Sequence, residues 1–136
     1  MSTSDQVKLV FGCGYLGSRV VRRWQQAGKT VRIVTRREES AERFRQQGLE
    51  AVVANIATID SLSAACFEGV DSILFAVGFD RQGGSIAEVY VGGMENVLRA
   101  CPTSVRQFVY ISSTGVYGKA ADEWVTEETA THPERA

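Results

Sequence analysis

The sequence predicts an α/β fold, a parallel sheet wound on both faces by helices, with strand order 3-2-1-4-5. Three observations carry this. Short apolar, β-branched runs alternate with stretches of helical periodicity along most of the chain. Glycines break the chain between them. The first apolar run leads straight into Gly12-Cys13-Gly14-Tyr15-Leu16-Gly17, and a helical pattern follows it. Strands joined through helices return parallel, by right-handed crossovers. A glycine-rich loop on the first crossover makes strand 1 central, with the switch point between strands 1 and 4.

Each element has its own signal. Val7 to Phe11 is the first strand. Leu16, Val20, Val21 and Trp24 form one face of the first helix, and Ala27-Gly28-Lys29 stops it. Thr30 to Thr35 is the second strand, Glu38 to Gln47 the second helix, and Gly48 its end. Leu49 to Val53 is a short third strand. Ser61 to Phe67 reads as a short helix with Ser61 as candidate N-cap. Val70 to Ala76 is the fourth strand, and Val105 to Ile111 the fifth. Between these two, Ser85 to Ala100 is the longest helix, with Ile86, Val89, Tyr90, Gly93 and Val97 on one face. Residues 1–117 thus form one domain, and 118–136 a polar, partly irregular tail.

Bulk properties narrow the function. The 136 residues suffice for one core, and 44% hydrophobic with 23% charged residues is ordinary for a globular protein. A net charge of −1 argues against a nucleic-acid surface. No apolar run approaches membrane-spanning length, and the short polar start suggests no signal peptide. Cys13, Cys66 and Cys101 have no metal-ligand spacing, so no metal is expected. Their odd, sparse count fits a reducing cytosol and a cytoplasmic protein. Cys13 lies at a helix N-terminus, where a thiolate is favoured, or it is simply a small residue at a variable loop position.

Strand, G-x-G-x-x-G, then helix is a dinucleotide-binding context, the fingerprint of a Rossmann-type fold. Gly12 permits the tight turn, Gly14 lets backbone approach a pyrophosphate, and Gly17 lets the helix pack on the strand. The helix start at Tyr15 and Leu16 then offers N–H groups to phosphate. The plainer alternative is a glycine-rich turn without a ligand.

The end of the second strand bears on which cofactor binds. NAD sites usually place a carboxylate there for the ribose 2′-OH. This chain has Thr35-Arg36-Arg37. A guanidinium binds a 2′-phosphate bidentately, so NADP is the preferred cofactor and NAD the alternative, with Arg36 the main contact and Arg37 the second. The two arginines could instead pair with Glu38 and Glu39 on the surface.

Several segments resemble the N-terminal half of an extended or atypical short-chain dehydrogenase/reductase, in the NAD-dependent epimerase/dehydratase family. Phe11 to Gly17 resembles that family's glycine loop. Ala54-Asn55-Ile56 stands where the family often has an Asp contacting adenine, and an Asn amide can also bond an adenine edge. Phe75-Ala76-Val77-Gly78 resembles the small-residue turn that runs along the cofactor. Tyr90 to Leu98 resembles the helix pattern N-V-x-G-T-x-N-V-L, with Tyr90 replacing its first Asn. Phe108 to Gly118, with Ser112-Ser113-Thr114 and Val116-Tyr117-Gly118, resembles the strand end whose hydroxyl bonds the substrate. The resemblance assigns that catalytic role to Ser113, with Thr114 as runner-up. A polar turn would explain the same residues without catalysis.

The resemblance implies an NAD(P)-binding domain of an oxidoreductase or epimerase acting on a carbonyl or alcohol, with a nucleotide sugar among the candidate small-molecule substrates. The family's proton-transfer pair, a Tyr followed four residues later by a Lys, is absent from these 136 residues. The expectation is a segment of a longer enzyme, inactive alone, or a short non-catalytic NAD(P)-binding or redox-sensing module. His132 lies in the polar tail and reads as solvated. The Ile86 to Ala100 helix and the edge of the fifth strand are candidate homodimer surfaces.

Overall fold

β1 (Val7–Phe11) is the centre of the sheet because it is apolar on both faces. Successive side chains on a strand point to opposite faces. Leu9 and Phe11 therefore join one half of the core, and Val10 joins the other. The computed structural model describes residues 6–78, 85–118 and 123–133. It has β2 (Thr30–Thr35), β3 (Glu50–Val53), β4 (Val70–Phe75) and β5 (Gln107–Tyr110) in one parallel sheet, ordered β3-β2-β1-β4-β5.

Helices cover both faces. α1 (Tyr15–Gln26) and α2 (Glu38–Gln46) cover one, where Val10, Val21, Val31, Ile33, Leu49 and Leu74 are buried. The other face carries α3 (Ala64–Phe67) and α4 (Gly93–Ala100), with Phe11, Phe67, Phe75 and Val97 buried beneath them. Four aromatic contacts cross this second half. Phe11 lies 6.3 Å from Phe67 and 6.0 Å from Phe75, and Phe75 lies 6.4 Å from Phe108 and 5.9 Å from Tyr110. Ring pairs at these separations stabilise by roughly 1 kcal/mol beyond their burial.

Two cations finish what the apolar core cannot. Lys8 donates to both Asp71 carboxylate oxygens at 3.1 and 3.0 Å, and to Ser72 Oγ at 2.9 Å. Ser72 is thereby buried and satisfied. Arg32 on β2 pairs with Glu50 and donates to the carbonyls of Ala65, Cys66 and Glu68 at 3.3, 3.2 and 2.7 Å. Those carbonyls belong to the end of α3, a four-residue helix with no side-chain cap at its start. A helix end leaves its last carbonyls unpaired, and here a guanidinium from the sheet supplies the donors.

β5 is shorter than the expected Val105 to Ile111, since Val105 N–H turns to the Pro102 carbonyl at 3.2 Å, and two further elements differ in kind from the sequence expectation. Ser61 is not an N-cap. It ends a short 3₁₀ turn, Ile59–Ser61, and Ser63 precedes α3 instead. Leu62, between them, turns into the core. Ser61 Oγ bonds the N–H and carbonyl of Asn55 at 2.9 and 2.8 Å and the Thr58 carbonyl at 2.7 Å, so it closes the loop after β3. The helix expected from Ser85 to Ala100 contains a π turn at Glu88–Gly92 before α4 begins. Val89, Gly93 and Val97 are buried as expected, but Ile86 is exposed. The wider turn puts the residues before it out of phase with those after it. Ser85 and Glu88 start this stretch with a reciprocal pair of bonds. Ser85 N–H donates to Glu88 Oε2 at 2.7 Å, and Glu88 N–H donates to Ser85 Oγ at 3.1 Å.

Candidate cofactor site

The carboxyl ends of β1, β2, β3 and β4 surround a cavity of about 310 Å³. It lies where the chain reverses its order of addition to the sheet, beside β1. Phe11, Gly12 and Cys13 line it from β1 and the following loop. Thr35 and Arg36 line it from the end of β2, and Asn55, Ile56 and Ala57 from the loop after β3. Val77 and Gly78 follow β4, and Val89 comes from the π turn. No Asp or Glu is among the described residues of the wall.

The three loop glycines differ in what would meet a side chain. Gly12 has φ +88°, and a Cβ there would collide with the Ala76 carbonyl oxygen and lie 2.6 Å from Val77 Cα. A Cβ on Gly17 would collide with the Gly12 carbonyl oxygen. Both are demanded by the protein's own packing. Gly14 is different, since a Cβ there would meet nothing within 4 Å. No neighbouring protein atom excludes a side chain there, and the space beside it fits the close approach of a pyrophosphate.

α1 begins directly after Gly14, with no capping side chain and no acidic residue in its first turn. Its first N–H groups are suited to an anion. Tyr15 and Leu16 are exposed here, and the Arg19 guanidinium sits 3.5 Å above the centre of the Tyr15 ring. Burial pushes the Cys13 thiol above its ordinary value. That opposes a thiolate at the helix start and favours the reading of Cys13 as a small packing residue.

Among the residues singled out from sequence, Gly12, Arg36, Asn55, Ile56, Val77 and Gly78 meet at this cavity. Gly14, Tyr15, Leu16 and Gly17 form the loop and helix start beside it. Ala76 lies just below, its N–H donating to the Phe11 carbonyl at 2.8 Å. Arg37 is not part of the wall; it is the residue before α2, and its carbonyl accepts from Ala41 N–H at 3.0 Å. Asn55 is exposed, with Oδ1 accepting from Ala57 N–H at 3.0 Å. Ser113 and Thr114 stand beyond the end of β5, exposed and outside the cavity wall. Ser113 Oγ accepts from Gly115 N–H at 3.1 Å and caps a 3₁₀ turn, Thr114–Tyr117.

Sequence reasoning missed one wall. Ser40, Arg43 and Phe44 of α2 also line the cavity. Their spacing, i, i+3 and i+4, marks one helix face and was the available signal. Among the described residues no helix is long and apolar enough to cross a membrane.

A glycine loop, an uncapped helix start and a cavity at the switch point define a nicotinamide-dinucleotide-binding domain. Residues 9–136 match the NAD dependent epimerase/dehydratase family, and the chain belongs to it. The uncharacterized sugar epimerase YhfK of Bacillus subtilis (strain 168) is 25% identical over 118 residues, 84% of this chain and 55% of that protein. A short-chain dehydrogenase/reductase superfamily protein from Agrobacterium tumefaciens, crystallised with bound NAD, is 28% identical with a TM-score of 0.76; the match covers 96% of this chain and 40% of that one. UDP-N-acetylglucosamine 4-epimerase from Bacillus cereus shares the fold at 23% identity and a TM-score of 0.72, over 95% and 48% of the two chains. The chain thus spans about half the length of these relatives, and the coverage fits their N-terminal half.

Proposed function

We propose that this chain is the NADP-binding half of an oxidoreductase or epimerase that acts on a carbonyl or alcohol. The observation that carries the NADP preference is the cavity wall, which holds Arg36 and Arg43 and, among the described residues, no carboxylate. A carboxylate at the end of β2 would accept from the ribose 2′-OH and repel a 2′-phosphate. Guanidinium groups favour the phosphate. In this reading the loop from Gly12 to Gly17 holds the pyrophosphate, Arg36 the 2′-phosphate with Arg37 second, and Asn55 donates its side-chain N–H₂ to an adenine edge. Ala76, Val77 and Gly78 run along the cofactor.

The cofactor supplies hydride transfer. Ser113, with Thr114 as second candidate, polarises the substrate oxygen through its hydroxyl. Sugar epimerases among the relatives support a nucleotide sugar as substrate class. A second reading is a non-catalytic NAD(P)-binding or redox-sensing module, which would use the same cofactor cavity without turnover. Calorimetric titration of the chain with NADPH and NADH tests the cofactor reading; equal affinities, or tighter NADH, would overturn the NADP preference. Turnover of a nucleotide-sugar panel by the full-length protein separates enzyme from module.

We also propose self-association with a second copy. Val91, Leu98 and Tyr110 are exposed and line an apolar groove between α4 and β5, together with Met94 and Phe108. Light scattering on a dilution series tests this, and a monomer across the micromolar range would refute it.

A further inference from the structure

We propose that Asn96 is a positioning residue for the cofactor site, holding the adenine-side wall in place from α4. The inference rests on the cofactor reading above. The wall is the loop after β3, where Asn55, Ile56 and Ala57 face the cavity. Most of its bonds are local. Ser61 Oγ and the Asn55 side chain close it upon itself. The bond that ties it to a distant helix comes from Asn96, whose Nδ2 donates to the Ile56 carbonyl at 2.9 Å, 40 residues along the chain.

A second contact acts at the same residue. A Cβ on Gly93 would lie 2.6 Å from Ile56 Cδ1, so Gly93 leaves the space into which the Ile56 side chain packs. Gly93 and Asn96 are three residues apart and share one face of α4. The helix therefore grips Ile56 twice, by its side chain and by its carbonyl. Asn96 itself does not line the cavity. It acts through Ile56, which is 8% exposed and forms part of the wall.

The consequence concerns ordering. An adenine ring needs a flat, fixed wall, and a loop that must be ordered on binding weakens affinity. The Ile56 carbonyl is also half-enclosed, so losing its donor leaves an acceptor poorly satisfied and free to turn elsewhere. The loss should fall on any ligand that carries adenosine, with or without the nicotinamide end.

Calorimetric titration with 5′-AMP and with NADPH tests this in the parent chain, Asn96→Asp and Val97→Ala. Asn96→Asp keeps the shape, removes the N–H₂ donor and adds a charge, so Asn96→Ser, which adds none, is titrated beside it. Val97→Ala is the control for instability alone, because Val97 is fully buried next door and lines no part of the cavity. The expected result is about tenfold weaker binding of both ligands to Asn96→Asp, the worth of one hydrogen bond, and unchanged affinities for folded Val97→Ala. Asn96→Ser decides alone if Asn96→Asp does not fold. Parent-like affinity in the Asn96 variants, or an equal loss in Val97→Ala, would overturn the positioning role. A parent chain that binds neither ligand would instead overturn the cofactor reading on which it rests.

Discussion

Arg43 donates a hydrogen bond to Ser40 Oγ at 3.2 Å, and both side chains line the cofactor cavity. The neighbouring Arg45 is held by Glu38 at 2.5 Å and Glu42 at 3.5 Å. Among the described residues Arg43 has no such carboxylate, and its partner is neutral. A guanidinium has five N–H donors, so most of those on Arg43 remain for an anion in the cavity. Arg43→Ala should therefore weaken NADPH binding about tenfold while leaving NADH nearly unchanged. Paired titrations with the two cofactors check this. Equal losses for both would mean that Arg43 stacks on the adenine instead.

The glycine loop yields a contrast between folding and binding. Gly14→Val should still fold, since a Cβ there meets no protein atom within 4 Å. It should lose NADPH binding at least tenfold, because the same side chain occupies the pyrophosphate's approach. Gly17→Val should not fold normally, since its Cβ collides with the Gly12 carbonyl. Thermal melts and titrations on the two variants distinguish these roles. Parent-like binding by Gly14→Val would place the pyrophosphate elsewhere.

Arg32 is expected to be the costliest surface-reaching cation to remove. Its side chain is 11% exposed and serves one carboxylate and three carbonyls. Glu50 is half exposed, so the ion pair itself contributes little. The carbonyls at the end of α3 matter more. Arg32→Ala should destabilise by about 2 kcal/mol in urea unfolding. Arg32→Lys should recover only a small part, because an ammonium cannot span these acceptors as a planar fork does.

Glu88 supplies a pH-dependent contribution. The Ser85 N–H and hydroxyl hold its carboxyl below the ordinary value of 4.5. A lowered folded-state value stabilises the ionised form. The contribution is fully present above 4.5 and is lost as pH falls through the lowered value. The Ser85–Glu88 turn should fray in that acid range, seen as faster amide exchange at Glu88 and Val89. In Glu88→Gln the corresponding pH dependence should disappear.

Much of the fold was legible because it depends on local rules. Alternating apolar runs and helix-spaced faces located all five strands and the crossover helices α1, α2 and α4, and parallel connections then restricted their order. The glycine loop was legible for a stronger reason. Gly12 and Gly17 are sites where a side chain collides with backbone, and such demands leave few residue choices. Smaller boundaries were not legible. Ser61 looks like a helix cap in sequence, but its hydroxyl is captured by Asn55 and Thr58, and Leu62 is drawn into the core.

The sequence by itself determined the doubly wound sheet, the dinucleotide loop and the cation at the end of β2. All three follow from periodicity, backbone sterics and charge within short stretches. Tertiary structure alone decided that Ser40 and Arg43 share the cavity with Arg36, and that Asn96 reaches the carbonyl of Ile56. These pairings depend on how α2 and α4 lie against the sheet. That docking is set by the packing of Phe44 and Gly93 against residues far away in the chain, and no local pattern encodes it.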